Sequence, residues 1–325
     1  MIVETSELKV ISLSLQFFTF HFSLFTKMLY LCAMKLSVLI PTYNYDCTHL
    51  VRQLLQQLPP DSELIVGDDA STDSNIIAKN REIEALPDCR IFKANHNMGR
   101  AAIRNALARE AKGEWLLFID ADAEVRSESF IADYLAATSQ AKVICGGTGN
   151  LPQCPRPAAR LRYDYEVAVE KRLTLEHRRS LPYAQFTTFN FLIQRELFLS
   201  ICFDEQLHEY GHEDTRFGLE LKRRGIKVLH IDNKLTHVGL ENADVYLKKT
   251  ETALRSLASM DMEQQQHVRV STMTLRLERW HLLKLVRNLF IIVKPLLRTN
   301  LLGKHPNQVL FAFYKLGAYT QFRKK

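Results

Sequence analysis

The stretch that decides the fold is Trp115-Leu116-Leu117-Phe118-Ile119, which is followed at once by Asp120-Ala121-Asp122. A short apolar run of this kind is typical of a strand buried on both faces of a parallel sheet. Two carboxylates one residue apart at the end of such a strand suit a hard divalent cation, and the cation in turn holds a diphosphate. The structural alternative is that one aspartate caps the next helix and the other is simply solvated.

Composition and charge place limits on the class of protein. The 325 residues, 46% hydrophobic and 24% charged, are ordinary for a folded protein with a large core. Residues 269–325 contain twelve Lys/Arg and one acidic residue, which gives this segment a charge of +11. The whole chain has a net charge of +7, so residues 1–268 carry a net charge of −4. The six cysteines show no C-x-x-C spacing, which indicates reduced thiols of a cytoplasmic protein rather than disulfides or a zinc site.

Residues 1–33 form an apolar N-terminal extension with two interpretations. The run from Ile11 to Cys32 has the composition of a signal anchor or membrane helix, although no cluster of Lys/Arg precedes it. Met34-Lys35 leads directly into the apolar run Leu36–Ile40, which favours Met34 as the start and makes the extension an artefact of the chosen start codon.

From residue 35 onwards, short apolar runs alternate with helical stretches, which predicts an α/β fold with a mainly parallel sheet flanked by helices. The predicted strands are Leu36–Ile40, Glu63–Val66, Arg90–Lys93, Trp115–Ile119, Lys142–Cys145, Phe189–Ile193 and Lys227–Ile231. The predicted helices between them are His49–Leu58, 74–85, Gly99–Ala111, Ser129–Thr138 and Thr215–Arg224. We expect this α/β domain to occupy residues 34–245.

Residues 246–325 are predicted to form a basic amphipathic helical tail. When Arg276–Arg298 is drawn as one helix, its basic residues share an arc of about 140° and the remaining surface is apolar. Pro295 should kink or end this helix. A wide apolar face with a basic stripe suits a helix lying in a membrane interface, and the alternative is a helix packed on the core with a solvated basic edge.

Polar groups follow several of the predicted strands, where the strand ends of such a sheet line a ligand-binding crevice. Asp68 and Asp69 follow the second strand, and a carboxylate there can accept a base N–H or a ribose hydroxyl. Arg104 lies one helical turn after the sequence Asn97-Met98-Gly99 and can reach a base carbonyl or phosphate. Taken alone, each has a structural explanation: a capping aspartate or a surface arginine.

Two further groups come later in the chain. Glu213-Asp214 opens a helix after Tyr210-Gly211-His212, where acidic residues also complement the helix dipole. His237 follows a predicted strand and could complete a metal site with Asp122, although a lone histidine is more often structural.

In this order and spacing, the motifs resemble those of the family 2 glycosyltransferases, which have the GT-A fold, over about residues 35–240. The motifs are Pro41-Thr42-Tyr43-Asn44, the loop Asp68-Asp69-Ala70-Ser71-Thr72-Asp73, Asn97-x-Gly99 with Arg104-Asn105, Asp120-x-Asp122, Glu213-Asp214 and Asn190–Arg195. The sequence departs from the family pattern at Ala70, where glycine is common, at Ile103 and at Ala123. None of these departures removes a group that the chemistry needs.

The resemblance implies a role for each residue of the motifs. Thr42, Asp69 and Arg104 would contact the nucleoside, and Asp120 would contact the ribose or the metal. Asp122 would bind Mn²⁺ or Mg²⁺, with His237 as a further ligand. Asp214 would be the catalytic base, with Glu213 near the acceptor. These eight residues are the predicted site residues.

The resemblance therefore implies an inverting, metal-dependent enzyme. It would move a sugar from a nucleoside diphosphate, UDP in particular, to a saccharide or lipid-linked acceptor in cell-surface polysaccharide or glycolipid synthesis. We expect it to be cytoplasmic and peripheral on the inner face of the cell membrane. Two alternatives are a non-catalytic nucleotide-sugar-binding scaffold at the membrane and a tail that binds nucleic acid. The tail is too rich in long aliphatic residues for the second, so we expect no nucleic-acid partner.

A nicotinamide dehydrogenase is excluded because no G-x-G-x-x-G follows the first strand, and a P-loop is also missing from the sequence.

Overall fold

The computed structural model describes residues 35–205, 213–265 and 268–323. The predictions for residues 1–33 and for Tyr210-Gly211-His212 lie outside these ranges. The strands, in chain order, are β1 (Leu36–Thr42), β2 (Ser62–Asp68), β3 (Cys89–Lys93), β4 (Trp115–Ile119), β5 (Ala123–Glu124), β6 (Val143–Cys145), β7 (Thr148–Asn150), β8 (Asn190–Gln194), β9 (Val228–His230) and β10 (Leu235–His237).

The helices fall between and after these strands. They are α1 (Thr48–Leu55), α2 (Ser74–Arg81), α3 (Arg100–Glu110), α4 (Phe130–Ala137), α5 (Arg160–Arg172), α6 (Leu175–Ser180), α7 (Arg195–Ile201), α8 (Glu213–Arg223), α9 (Ala243–Ser259), α10 (Met262–Gln265), α11 (Arg269–Arg279), α12 (Leu283–Leu301) and α13 (Gln308–Phe322). The helix predicted over 74–85 ends at Arg81 and continues as a 3₁₀ turn, Glu82–Ala85.

The central sheet has seven strands in the order β3-β2-β1-β4-β8-β6-β9. Every adjacent pair is parallel except those of β8, which runs antiparallel to both β4 and β6. The predicted α/β fold with a mainly parallel sheet is therefore confirmed. The apolar run Trp115–Ile119 forms the central strand β4, between β1 and β8.

The sheet separates two hydrophobic clusters, because successive side chains of a strand point to opposite faces. Leu117 and Ile119 of β4 belong to one cluster. Leu116 and Phe118 belong to the other, where Phe118 stacks on Phe191 of β8 with ring centroids 4.8 Å apart. Because β4 is buried on both faces, the aspartates that follow it are held at a fixed place on the sheet edge.

A second, three-stranded sheet in the order β5-β10-β7 was not predicted from the sequence. Its strands are only two or three residues long, too short to show a periodic pattern. In this sheet His237 is paired with Ala123, the residue after Asp122. The small sheet thus brings His237 beside the aspartates that follow β4.

The C-terminal helices form a third cluster with α9 and with Leu161 of α5. The single helix predicted over Arg276–Arg298 is wrong: α11 ends at Arg279, and His281 between the two helices has a φ of 57°. Pro295 does not end α12, because Leu297 and Leu301 pack into the third cluster and hold the last turns of that helix in place.

Within the described ranges, no helix is both long enough and apolar enough to span a membrane. The domain limits at 34–245 and 246–325 stay a prediction.

Candidate active site

A cavity of about 690 Å³ lies at the carboxyl ends of β1, β2 and β4. Its volume is in the range of small-molecule and cofactor sites. Five of the eight predicted site residues line it: Thr42, Asp69, Arg104, Asp120 and Asp122. Parallel strands bring their carboxyl ends to one edge of the sheet, and this topology assembles the cavity from distant segments.

Asp69 joins the loop after β2 to the start of α3. Its buried carboxylate accepts hydrogen bonds from the backbone N–H groups of Met98, at 2.6 Å, and Gly99, at 3.0 Å. The Asn97 side chain donates to the Asp69 carbonyl at 3.2 Å. Gly99 has a φ of 85°, which explains the need for glycine in this turn. Asp69 therefore has a structural role in addition to any contact with a ligand.

Arg104 and Asp120 form an ion pair at the floor of the cavity, with the Arg104 side chain only 2% exposed. The Arg104 guanidinium also donates to the carbonyl of Arg100 at 3.0 Å, one turn earlier in α3. A buried guanidinium needs such partners because an unpaired buried charge is costly. One oxygen of Asp120 is thereby committed to Arg104.

Asp122 and His237 are in direct contact, with Asp122 Oδ2 and His237 Nε2 3.0 Å apart. Burial favours a raised pKa for the Asp122 carboxyl, but the hydrogen bond and charge of His237 outweigh burial, and the pKa is lowered. Burial acts to lower the pKa of His237, yet its hydrogen bonds to Asp122 and Glu166 raise that pKa to about 9. In the absence of a cation, the pair is therefore an ion pair at neutral pH, and a cation bound there would replace the proton on Nε2.

Glu166 completes this group and was not predicted from the sequence. Its Oε2 lies 2.8 Å from His237 Nδ1, and its Oε1 accepts from Arg162 Nε at 2.7 Å. Burial favours a raised pKa for Glu166, but the contacts with His237 and Arg162 lower it. The only sequence signal was an Arg–Glu pair four residues apart on a helix, which is common on solvated helices.

Glu213 and Asp214 begin α8 and do not line the cavity, although they adjoin it. Glu213 forms an ion pair with Arg100, a cavity residue, at 3.7 Å. Burial, followed by the charge of Glu213, raises the pKa of Asp214 to about 6, and the charge of Arg104 is near enough to oppose that rise. The charge of Arg100 also acts on the Asp122 carboxyl, so Glu213 and Asp122 both lie near this one cavity residue.

Several residues of the cavity wall come from segments in which the sequence showed no motif. The loop after β10 and the start of α9 supply Val238, Gly239, Leu240, Glu241 and Lys249, and Arg156 precedes α5. Arg156 donates to the carbonyl of Leu240 and to the side chain of Asn242, so these two segments are joined at the cavity rim. Together they form one part of the cavity wall.

The donor set fits a divalent cation that also takes ligands from a substrate. Two neighbouring ligands of an octahedral site are about 3 Å apart, since each lies about 2.1 Å from the ion. The separation of 3.0 Å between Asp122 Oδ2 and His237 Nε2 matches this spacing. In the part of the chain that the structure describes, no cluster of three or more Asp, Glu, His or Cys residues forms a complete protein site. The remaining ligands would come from diphosphate and water, as is usual for Mg²⁺ sites.

Three features together define a GT-A-type glycosyltransferase: the order of the sheet, the strand end Asp120-x-Asp122 and the adjoining Glu213-Asp214. The profile of glycosyl transferase family 2 matches residues 37–201, and the chain belongs to that family.

Curated relatives are glycosyltransferases as well. An uncharacterized glycosyltransferase of Haemophilus influenzae is 25% identical over 229 residues, which cover 67% of this chain and 84% of that protein. Validoxylamine A glucosyltransferase of Streptomyces hygroscopicus subsp. limoneus is 27% identical over 292 residues, or 75% of this chain and 63% of that protein. Poly(ribitol-phosphate) beta-glucosyltransferase of Bacillus spizizenii is 34% identical over 106 residues, but these span only 17% of its length.

Among solved structures, a mannosyltransferase from Pyrobaculum calidifontis in complex with GDP-Man and Mn²⁺ has the same fold. Its TM-score is 0.52 at 16% identity, with 89% of this chain and 85% of that chain covered. This similarity confirms the predicted GT-A fold.

Proposed function

We propose that this glycosyltransferase is an inverting, metal-dependent enzyme. It moves a sugar from a nucleoside diphosphate, UDP in particular, to a hydroxyl of a saccharide or lipid-linked acceptor. The observation that carries the proposal is the contact between Asp122 and His237 at the edge of a cavity that also contains Asp69 and Arg104. The named relatives, which act on validoxylamine A and poly(ribitol-phosphate), support a sugar donor and a role in polysaccharide or glycolipid synthesis.

Asp214 is the proposed general base. With a pKa raised to about 6, its carboxyl is ionised at neutral pH and basic enough to accept a proton from an acceptor hydroxyl. The hydroxyl oxygen forms a bond to the anomeric carbon while the bond from that carbon to the diphosphate oxygen breaks on the opposite face. This single displacement inverts the configuration and needs no enzyme nucleophile.

Asp122 and His237 would hold the Mn²⁺ or Mg²⁺ ion. When bound, the ion would neutralise the charge that develops on the departing diphosphate. The mannosyltransferase with the same fold was solved with GDP-Man and Mn²⁺, which supports a divalent ion and a sugar nucleotide here.

The function is tested by measuring nucleoside diphosphate release from a panel of sugar nucleotides, with Mn²⁺, with Mg²⁺ and with EDTA. We expect turnover of one donor, loss of that turnover in EDTA and inversion at the anomeric carbon by NMR of the product. If no donor turns over with metal present while nucleotides still bind, the protein is instead the non-catalytic scaffold.

We also propose that the protein is cytoplasmic and binds the inner face of the cell membrane through α12. Four apolar side chains form one stripe along this helix and are 46–74% exposed: Leu285, Leu289, Ile292 and Leu296. Lys284 and Arg287 are exposed on the same helix. Exposed apolar residues beside basic ones suit the interface of an anionic bilayer.

Truncation of the tail would be a poor test of membrane binding, because α12 and α13 supply much of the third hydrophobic cluster. Removing them would expose Leu247 and Leu257 of α9, which are fully buried in that cluster. Substitutions on the exposed stripe of α12 leave that cluster intact and are therefore the better experiment.

A further inference from the structure

Glu166 lies in the middle of α5, outside every motif of the sequence, yet it contacts the proposed metal ligand His237. The side chains of Arg162, Glu166 and His237 are 14%, 19% and 5% exposed, so the contacts among these three side chains are largely shielded from water.

We propose that Glu166 is a positioning residue that fixes the ring orientation and tautomer of His237 for metal binding. The inference rests on the proposed function, because it assumes that His237 is a ligand. A cation bound through Nε2 would replace the proton on that nitrogen, and the Glu166 carboxylate 2.8 Å from Nδ1 keeps the remaining proton on Nδ1. The lone pair of Nε2 then faces Asp122, 3.0 Å away, where the cation would be held.

The orientation of Glu166 is itself fixed by a second contact. Arg162 Nε donates to Glu166 Oε1 at 2.7 Å, so the two oxygens of Glu166 are divided between Arg162 and His237. Arg162 also pairs with Glu241 of the cavity wall, and its guanidinium lies 5.3 Å from the centre of the Tyr246 ring. A helix of 13 residues carries both Arg162 and Glu166, which makes the arrangement more rigid than a loop would.

The ring of His237 is held on its other sides as well. Phe189 packs edge-on against it with centroids 5.7 Å apart, and Arg162 Nη2 lies 3.5 Å from Nε2. The Arg162 guanidinium is a donor only, so its contact favours an unprotonated Nε2, as the contact of Glu166 with Nδ1 does. In this set, the contact with Glu166 alone places an acceptor on Nδ1.

The experiment measures the affinity of the full chain for UDP and for GDP by calorimetry, with and without Mn²⁺. In the parent protein, we expect Mn²⁺ to increase the affinity for one of the two nucleotides. Glu166→Ala is expected to reduce this metal-dependent increase about 10- to 100-fold. The metal-free affinity should be unchanged, since Glu166 does not line the cavity. A variant that is merely misfolded would lose both.

Glu166→Gln keeps an acceptor oxygen and should recover part of the increase. The matched control is Glu170→Ala, one turn further along α5, which removes contacts with Asn150 and Lys234 but none with His237. An unchanged metal-dependent increase in Glu166→Ala would overturn the inference while leaving the proposed function intact. No effect of Mn²⁺ on the parent protein would overturn both the metal assignment and the inference.

Discussion

Gly239 packs directly against Asp122. A β-carbon added to Gly239 would lie 2.4 Å from the Asp122 β-carbon and 2.6 Å from Oδ2. Real β-carbons essentially never approach other heavy atoms so closely, so one of the two residues would have to move. The glycine after β10 therefore allows the small sheet to approach the strand end that carries the proposed metal ligand.

Gly239→Ala is expected to displace the Asp122 carboxylate and reduce turnover at least tenfold, because small misplacements of binding groups strongly affect rate. The measurement is the kcat at saturating donor together with the concentration of Mn²⁺ that gives half of it. Gly149→Ala in β7 is the control, since its added carbon would meet nothing closer than 3.7 Å. Equal activity of the two variants would contradict the role of Gly239.

Asp214→Asn is expected to lower kcat about 10²- to 10⁴-fold, the usual contribution of a general base. Donor binding should change little, since Asp214 does not line the cavity. Turnover and calorimetric binding of the donor measure the two effects separately. Glu220→Gln is the control on the same helix, where Glu220 pairs with Arg223 and Arg224. Near-parent turnover by Asp214→Asn would exclude Asp214 as the base.

The pH dependence of kcat should report the same carboxyl. With the pKa of Asp214 raised to about 6, the active carboxylate form is lost as the pH falls through 6, and kcat should decline on that side. Glu213→Gln removes the negative charge that helps to raise this pKa, so the acid limb should move to lower pH. The kcat is measured from about pH 4.5 to about pH 8, a range that spans the raised pKa of the Asp214 carboxyl. A limb that stays in place in Glu213→Gln would contradict this coupling.

Ala70→Gly is expected to stabilise the protein slightly. Ala70 has a φ of 58°, a left-handed conformation that costs a non-glycine residue about 1–2 kcal/mol. Glycine in turn costs about 0.5–1 kcal/mol in unfolded-state entropy, so the net gain should lie between about 0 and 1.5 kcal/mol. The measurement is the denaturant midpoint. A lower midpoint would show that the left-handed conformation carries no such strain here.

A double variant with Ile292→Asn and Leu296→Asn should bind phosphatidylglycerol vesicles more weakly by on the order of 10- to 100-fold, because it loses the free energy of burying two apolar side chains in the bilayer. Both residues are more than 70% exposed, so the fold and the turnover of soluble acceptors should not change. Leu181→Asn, at an exposed leucine outside the C-terminal helices, is the control. If the parent binds these vesicles no better than phosphatidylcholine, the membrane proposal is wrong.

The strand ends of the α/β domain were predictable because their pattern is local. Five apolar residues before Asp120 and Asp122 specify a buried strand, and a parallel sheet necessarily gathers such ends at one edge. Thr42, Asp69 and Arg104 reach the same cavity for this reason. Their catalytic and binding roles remain predictions.

In the C-terminal tail, the local sequence pattern did not predict the helix limits correctly. The period of apolar residues in Arg276–Arg298 fits one long helix, but the structure has two, separated at His281. Pro295 is tolerated because packing against α9 and α13 stabilises the turns after it, and no window of sequence contains that packing. Tertiary contacts therefore decided both the helix limits and which apolar side chains stay exposed.

By itself, the sequence determined the sheet, its acidic edge and the family, because strand burial and turn chemistry are encoded within a few neighbouring residues. Only the tertiary structure decided which groups each acid faces. His237 is 115 residues from Asp122 and 71 from Glu166 along the chain, yet it contacts both. Such contacts depend on how distant elements pack. Nothing in the neighbouring sequence distinguishes this histidine and this glutamate from the other histidines and glutamates of the chain.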